Sequence, residues 1–231
     1  MELQQFCLSN NPNQAIISLH GWTGNASSME PIAKIFKFPD TKWLFPQAPY
    51  PIKDLTNLNN NKSYGKYSWS NHTIRDKETP KKQFVEKSIA IIEKCINILE
   101  NEGLNKNKIF ILGFSQGAIF SLWFIINQKY SIGGCISICG GLDKTKTFFK
   151  KNFQSKSKET PILLIHGEKD NIIHPEESKN TYKLFKEFGF NIELKLFPSA
   201  HKVPLKAKTL IWNFITKNKK NTHSCTIGYE H

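Results

Sequence analysis

The sequence predicts an α/β fold on a mostly parallel sheet of about seven strands, and three observations carry that prediction. Strand-sized apolar runs alternate with helical patterns almost throughout the 231 residues, as in crossover units with helices on both faces of a sheet. A chain of this length buries about 70% of its unfolded surface, and no repeat or low-complexity linker divides it. One strand candidate also runs directly into Gly-x-Ser-x-Gly and an apolar helix, a strand–turn–helix unit with chemistry at its turn.

Strands are expected at Leu3–Leu8, Ala15–His20, Lys42–Phe45, Lys108–Phe114, Gly134–Cys139, Pro161–His166 and Asn191–Phe197. After the first loop, Ser27 or Ser28 is placed to cap a helix. The clearest helix precedes the fourth strand, with Thr79 as cap, Pro80 at its first position and Gly103 past its end. Within it Val85, Ile89, Ile92, Ile96 and Leu99 repeat at steps of three and four, which makes one buried face. A second helix starts after Ser115, and a third runs from about Pro175 to Phe188 with Gly189 following. The last starts near Pro204 and carries Ala207, Leu210, Ile211, Phe214 and Ile215 on one side. Pro46–Thr79 and Gly140–Thr160 break the rhythm. Residues 1–216 are expected to form a single domain without a large cap, and 217–231 a polar tail. In such sheets ligands bind beyond the carboxyl ends of the strands.

Lys and Arg number 32 against 19 acidic residues, a formal charge of +13. Such an excess suits nucleic acid or an anionic membrane, but Arg75 is the only arginine, so the forked donors that clamp phosphate are almost absent. The lysines are scattered, thickening only at Lys144–Lys158 and Lys217–Lys220, and nucleic-acid binding is not expected. The apolar runs Ile109–Leu112 and Pro161–Ile165 fall far short of the ~20 residues that span a bilayer. Met1–Gln5 has neither a basic nor an apolar region of the kind that opens a cleaved signal, so export is not expected. Cys7, Cys95, Cys135, Cys139 and Cys225 are odd in number and fit no zinc spacing; free thiols in a reducing cytoplasm account for them. Cys135 and Cys139, four apart on a strand, would share one face.

The chemistry centres on Gly113-Phe114-Ser115-Gln116-Gly117. A serine between a buried strand and a helix sits on a strained turn with its hydroxyl exposed, beside amides that favour negative charge. Its hydroxyl needs a base, and His201, in the loop after the final strand, is the best placed of seven histidines. His20 and His166 each end a strand within His-Gly and are expected to brace loop backbone, while His72, His174, His223 and His231 look peripheral. An acid must hold the imidazole in the right tautomer. Asp170 follows the strand Pro161–Ile165 by a short loop, with Glu168 and then Asp143 as rivals. The order Ser115, Asp170, His201 is the one found in α/β hydrolases. The oxyanion needs N–H donors, expected from Gln116 and from Trp22 in His20-Gly21-Trp22-Thr23-Gly24-Asn25.

On these residues the chain resembles the α/β-hydrolase superfamily and, within it, the phospholipase/carboxylesterase family that includes acyl-protein thioesterases. The resemblance spans about Ala15 to Phe214 and rests on Leu19-His20-Gly21-Trp22, Phe45-Pro46-Gln47-Ala48-Pro49, Tyr67-Ser68-Trp69, Gly113-Phe114-Ser115-Gln116-Gly117-Ala118, His166-Gly167 with Asp170, and His201. It implies Ser115 as nucleophile, Asp170 as orienting acid, His201 as base, and Trp22 and Gln116 as oxyanion donors. It further implies no metal or cofactor, and a small-molecule ester or thioester as substrate. The Trp22–Asn25 loop, where thioesterases usually carry His-Gly-x-Gly-Asp, favours a small esterase over a protein-depalmitoylating enzyme. An open pocket is expected from Pro46–Trp69, walled by Trp22, Tyr50, Tyr67 and Trp69 and suited to short or medium acyl chains. Two alternatives stand beside hydrolysis: acyl transfer to another alcohol on the same residues, and an idle hydrolase fold serving as a binding module.

Overall fold

The computed structural model describes residues 2–52, 65–70, 82–142 and 155–217. Seven strands form the central sheet: β1 (Leu3–Cys7), β2 (Gln14–Leu19), β3 (Thr41–Pro46), β6 (Ile109–Phe114), β7 (Gly134–Ile138), β8 (Ile162–Gly167) and β9 (Ile192–Phe197). Their spatial order is β1-β3-β2-β6-β7-β8-β9, and β4 (Tyr50–Pro51) pairs with β5 (Tyr67–Ser68) in a separate small sheet. Only β1 of the seven runs antiparallel to its neighbour. All seven expected strands are present.

The inner strands read as continuous apolar runs because both their faces are covered. In β6, Ile109 and Ile111 pack on one side of the sheet and Phe110 and Leu112 on the other. The first side is covered by α2 (Lys82–Asn101), α3 (Gln116–Asn127) and α4 (Pro175–Glu187). The second is covered by α1 (Glu30–Phe36) and α5 (Lys208–Lys217). Val85, Ile92, Ile96 and Leu99 of α2 are buried and Ile89 is partly so, as their spacing requires. Gly103 and Gly189 leave α2 and α4 at φ +90° and +83°, a conformation in which a Cβ is costly.

Three expectations need correcting. The cap before α1 is Asn25: its side chain accepts from Ser27 N while Ser28 Oγ accepts from Asn25 N, a reciprocal box around a short 3₁₀ turn. The final helix begins at Lys208, after a 3₁₀ turn over Leu205–Ala207. Cys135 and Cys139 do not share a face. β7 stops at Ile138, and Cys139 takes φ +53°, which turns its thiol to the opposite side of the sheet. Burial pushes the thiols of Cys95, Cys135 and Cys139 up to about 12. Thr79, Pro80, Asp143, Cys225, His72, His223 and His231, the lysine runs in large part, and the tail beyond Lys217 lie outside the described residues. Among the described residues no helix is long and apolar enough to cross a membrane.

Candidate active site

The site lies at the carboxyl ends of the parallel strands. β6 ends at Phe114, and Ser115 follows at φ 54° and ψ −119°, a backbone that costs a non-glycine residue about 1–3 kcal/mol. Ser115 N donates to Ile138 O at 2.9 Å, and the amides of Ala118 and Ile119 donate back to Ser115 O. The flanking glycines provide room. A Cβ on Gly113 would stand 2.3 Å from Gly117 O, and one on Gly117 would stand 2.4 Å from Leu19 O. Gly117→Ala is therefore expected to lose about 3 kcal/mol or more, a fall of about 6–12 °C in Tm, read by thermal melting.

β8 and β9 keep pairing past their ends. Glu168 N donates to Phe197 O at 2.7 Å and Lys169 N to Ser199 O at 3.0 Å. Gly167 permits this approach, since a Cβ there would stand 2.3 Å from Ser199 O. The paired loops bring together two side chains 31 positions apart: His201 Nδ1 lies 2.7 Å from Asp170 Oδ2. His201 Nε2 lies 2.9 Å from Ser115 Oγ. A carboxylate on Nδ1 places the proton there, which leaves Nε2 free to accept from the serine hydroxyl. The Phe114 ring packs against the imidazole, centroids 5.1 Å apart.

Asp170 Oδ1 accepts from the amides of Ile172 and Ile173 at 2.9 and 3.0 Å. Burial works to raise this carboxyl's pKa, but the hydrogen bonds from His201, Ile172 and Ile173 outweigh it and hold the acid below its ordinary value. It is thus ionised at neutral pH. The rival Glu168 is exposed.

The loop after β2 lies against Ser115, because a Cβ on Gly21 would stand 3.3 Å from Ser115 Cβ. The amides of Trp22, which follows, and of Gln116, which opens α3, make no hydrogen bond to a described residue. Their neighbours hold them. His20 Nε2 accepts from Ala48 N at 3.2 Å, so Nδ1 carries the proton and donates to Gly21 O at 2.7 Å. Gln47 Oε1 accepts from Ala26 N, and Thr23 N donates to Tyr67 O. The Gln116 side chain accepts from Trp69 N and donates to Ser68 Oγ. His20 does brace loop backbone; Gln47 and Ser68 were not expected to, since nothing in their spacing marks them.

Burial lowers the His20 pKa to about 4, against a smaller opposite pull from the Gly21 carbonyl. A histidine at 6.5 when unfolded and about 4 when folded contributes stability that is full above 6.5. That stability is lost as pH falls through this window, on the order of 3 kcal/mol in all. Melting temperatures of wild type are expected to drop between about pH 6.5 and 4, and more steeply than those of His20→Asn, which cannot charge.

The aromatic wall differs from expectation. Trp69 is fully buried, its Nε1 donates to His20 O at 2.8 Å, and its ring packs on His20 and Phe120. It braces the loop and faces no open pocket. Tyr50 and Tyr67 are half-buried in the small sheet, with Lys87 over the Tyr50 ring. Within the expected pocket segment Pro46–Trp69, residues 53–64 lie outside the described residues. A described cleft of about 690 Å³ instead opens beside His201, floored by Met29, Ile32, Phe114, Phe197, Val203 and Leu205. These apolar residues come from the start of α1, the ends of β6 and β9 and the loop after His201, with no shared spacing to betray them.

Behind the acid, Cys139, His166 and Asp170 bring three potential metal-ligating atoms within 4.8 Å of one another. All three side chains already have partners, Asp170 Oδ2 in His201, His166 Nε2 in Ile173 O and Cys139 Sγ in Lys202 O.

The sequence model of the phospholipase/carboxylesterase family matches residues 6–219. Carboxylesterase SOBER1 of Arabidopsis thaliana is 27% identical over 215 residues, covering 90% of this chain and 92% of that one. An acyl-protein thioesterase 1 homolog of Dictyostelium discoideum is 31% identical over 179 residues, 76% of each chain. The crystal structure of SOBER1 superposes with a TM-score of 0.76 at 26% identity, covering 90% of this chain and 99% of that one.

Proposed function

The chain belongs to the phospholipase/carboxylesterase family of α/β hydrolases, and we propose that it cleaves carboxylic esters and thioesters through an acyl-enzyme on Ser115. One observation carries the reading: Ser115, His201 and Asp170 leave three different strand ends and meet at 2.9 and 2.7 Å. Ser115 Oγ attacks the carbonyl carbon as its proton passes to His201 Nε2, and the imidazolium then protonates the leaving alcohol or thiol. Water, deprotonated by the same nitrogen, releases the acid and restores the serine. Charge developing on the carbonyl oxygen meets the amides of Trp22 and Gln116. Asp170, ionised and anchored by two amides, stabilises the imidazolium without taking its proton.

The apolar cleft beside His201 suits a short or medium chain. The free buried thiols fit a cytoplasmic location. Relatives bearing carboxylesterase and thioesterase names favour water as the acyl acceptor over another alcohol. Incubation with a fluorophosphonate probe, followed by peptide mapping, is expected to place one adduct on Ser115. A folded protein that takes no adduct there would instead be a binding module. Esters and thioesters of graded chain length then set the acyl preference.

A further inference from the structure

We propose that His166 is a positioning residue of the active site: its Nε2–H, shared between the Ile173 carbonyl and Asp170 Oδ2, holds the carboxylate in register with His201. The inference rests on the triad reading above and concerns a buried histidine that this chemistry leaves unused. His166 has no exposed surface. Its Nε2 lies 2.9 Å from Ile173 O and 3.2 Å from Asp170 Oδ2. A carbonyl and a carboxylate can only accept, so the proton of this imidazole belongs on Nε2. At the other edge of the ring the bare Nδ1 lies 2.5 Å from Ser178 Oγ, whose one proton is divided between it and Gly140 O at 2.8 Å. The ring is thereby fixed between α4 and the end of β7.

The geometry acts on both oxygens of the acid. On Oδ2, His166 fills the side that His201 leaves open. On Oδ1 it acts through the chain, since it grips the carbonyl of Ile173, the residue whose own amide donates to Oδ1. Removing the imidazole frees Oδ2 directly and loosens the turn that holds Oδ1. Among the described residues, the titratable groups around the carboxylate are Cys139 just after β7, His166 from β8 and His201. A carboxylate with one donor fewer binds the imidazolium of His201 more tightly.

His166→Leu is expected to lower kcat by about 10–100-fold, the usual range for a partner that orients a reacting group. KM should stay unchanged, and the acid limb of kcat/KM should move to higher pH. His166→Gln, which returns an amide donor near the Nε2 position, should recover part of the rate. A folded His166→Leu with wild-type kcat and acid limb overturns the proposal. So does an equal loss in both variants with no movement of the acid limb. If neither variant folds, ¹⁵N-histidine NMR of the wild type decides: a protonated Nε2 on His166 at neutral pH supports the proposal, and a bare Nε2 overturns it. That measurement needs no turnover, so its failure is distinct from failure of Ser115 to take the fluorophosphonate.

Discussion

Ser115→Ala should lower kcat by about 10⁶, the scale on which loss of the nucleophile acts in subtilisin, while leaving Tm almost unchanged. The first half follows from the chemistry: without Oγ no acyl-enzyme forms, and His201 has nothing to deprotonate but water. The second follows from the backbone. Ser115 holds φ 54° because Ile138 O, Gly117 and the start of α3 impose it, so alanine inherits the same strain. Glycine does not. Ser115→Gly should be equally inactive yet melt at or above Ser115→Ala, because a strained turn kept for function is relieved when function is removed. Ester hydrolysis with differential scanning calorimetry on the three proteins measures both effects. A Ser115→Ala enzyme retaining even a hundredth of wild-type turnover would move the nucleophile elsewhere.

The parts of the site that could be read from sequence are those whose local chemistry is unusual. Gly113-Phe114-Ser115-Gln116-Gly117 is legible because a strand, a strained turn and a helix leave little freedom in residue type: two of its five positions cannot carry a Cβ. Asp170 and His201 are legible by their places after β8 and β9, since strand ends in a parallel sheet converge on one edge. The inner strands are legible as apolar runs because both their faces are buried. The illegible parts depend on contacts between segments far apart in the chain. Gln47 reaches Ala26 and Ser68 reaches Gln116 through side-chain hydrogen bonds, and polar residues outside the core carry no mark of such partners. Alternation places Cys139 on the wrong face because it presumes an unbroken strand, whereas β7 ends at Ile138 and Cys139 takes a positive φ. Trp69 is expected as a wall of the Pro46–Trp69 pocket, whereas its indole N–H is spent on a buried carbonyl.

These supporting contacts divide the site into two braced halves. On one side His20, Gln47 and Trp69 hold the loop that offers the Trp22 amide. On the other, Ile172, Ile173 and His166 surround Asp170. The serine stands between them on a turn that is itself anchored to β7 through Ile138. Catalytic geometry tolerates errors of only a fraction of an ångström, and contacts of this kind are what the proposed chemistry requires around Ser115, Asp170 and the Trp22 amide.

Asp170→Asn tests the second half most directly and should cost about 10⁴ in kcat, as the same change does in a serine protease. The surroundings fix how the asparagine must lie. The amides of Ile172 and Ile173 both donate to Oδ1, so the amide oxygen is retained there and the NH₂ is turned to where Oδ2 stood. That NH₂ faces His201 Nδ1, which in the wild type donates at 2.7 Å. Two donors cannot meet, so His201 moves its proton to Nε2, and Nε2–H cannot take the proton of Ser115. The fold should persist, because the turn from Asp170 to Ile173 keeps its acceptor. Steady-state kinetics beside a melting curve separates the outcomes. Wild-type turnover in a folded Asp170→Asn would transfer the role to Glu168 or Asp143, whereas the expected loss at nearly constant Tm leaves the acid as assigned.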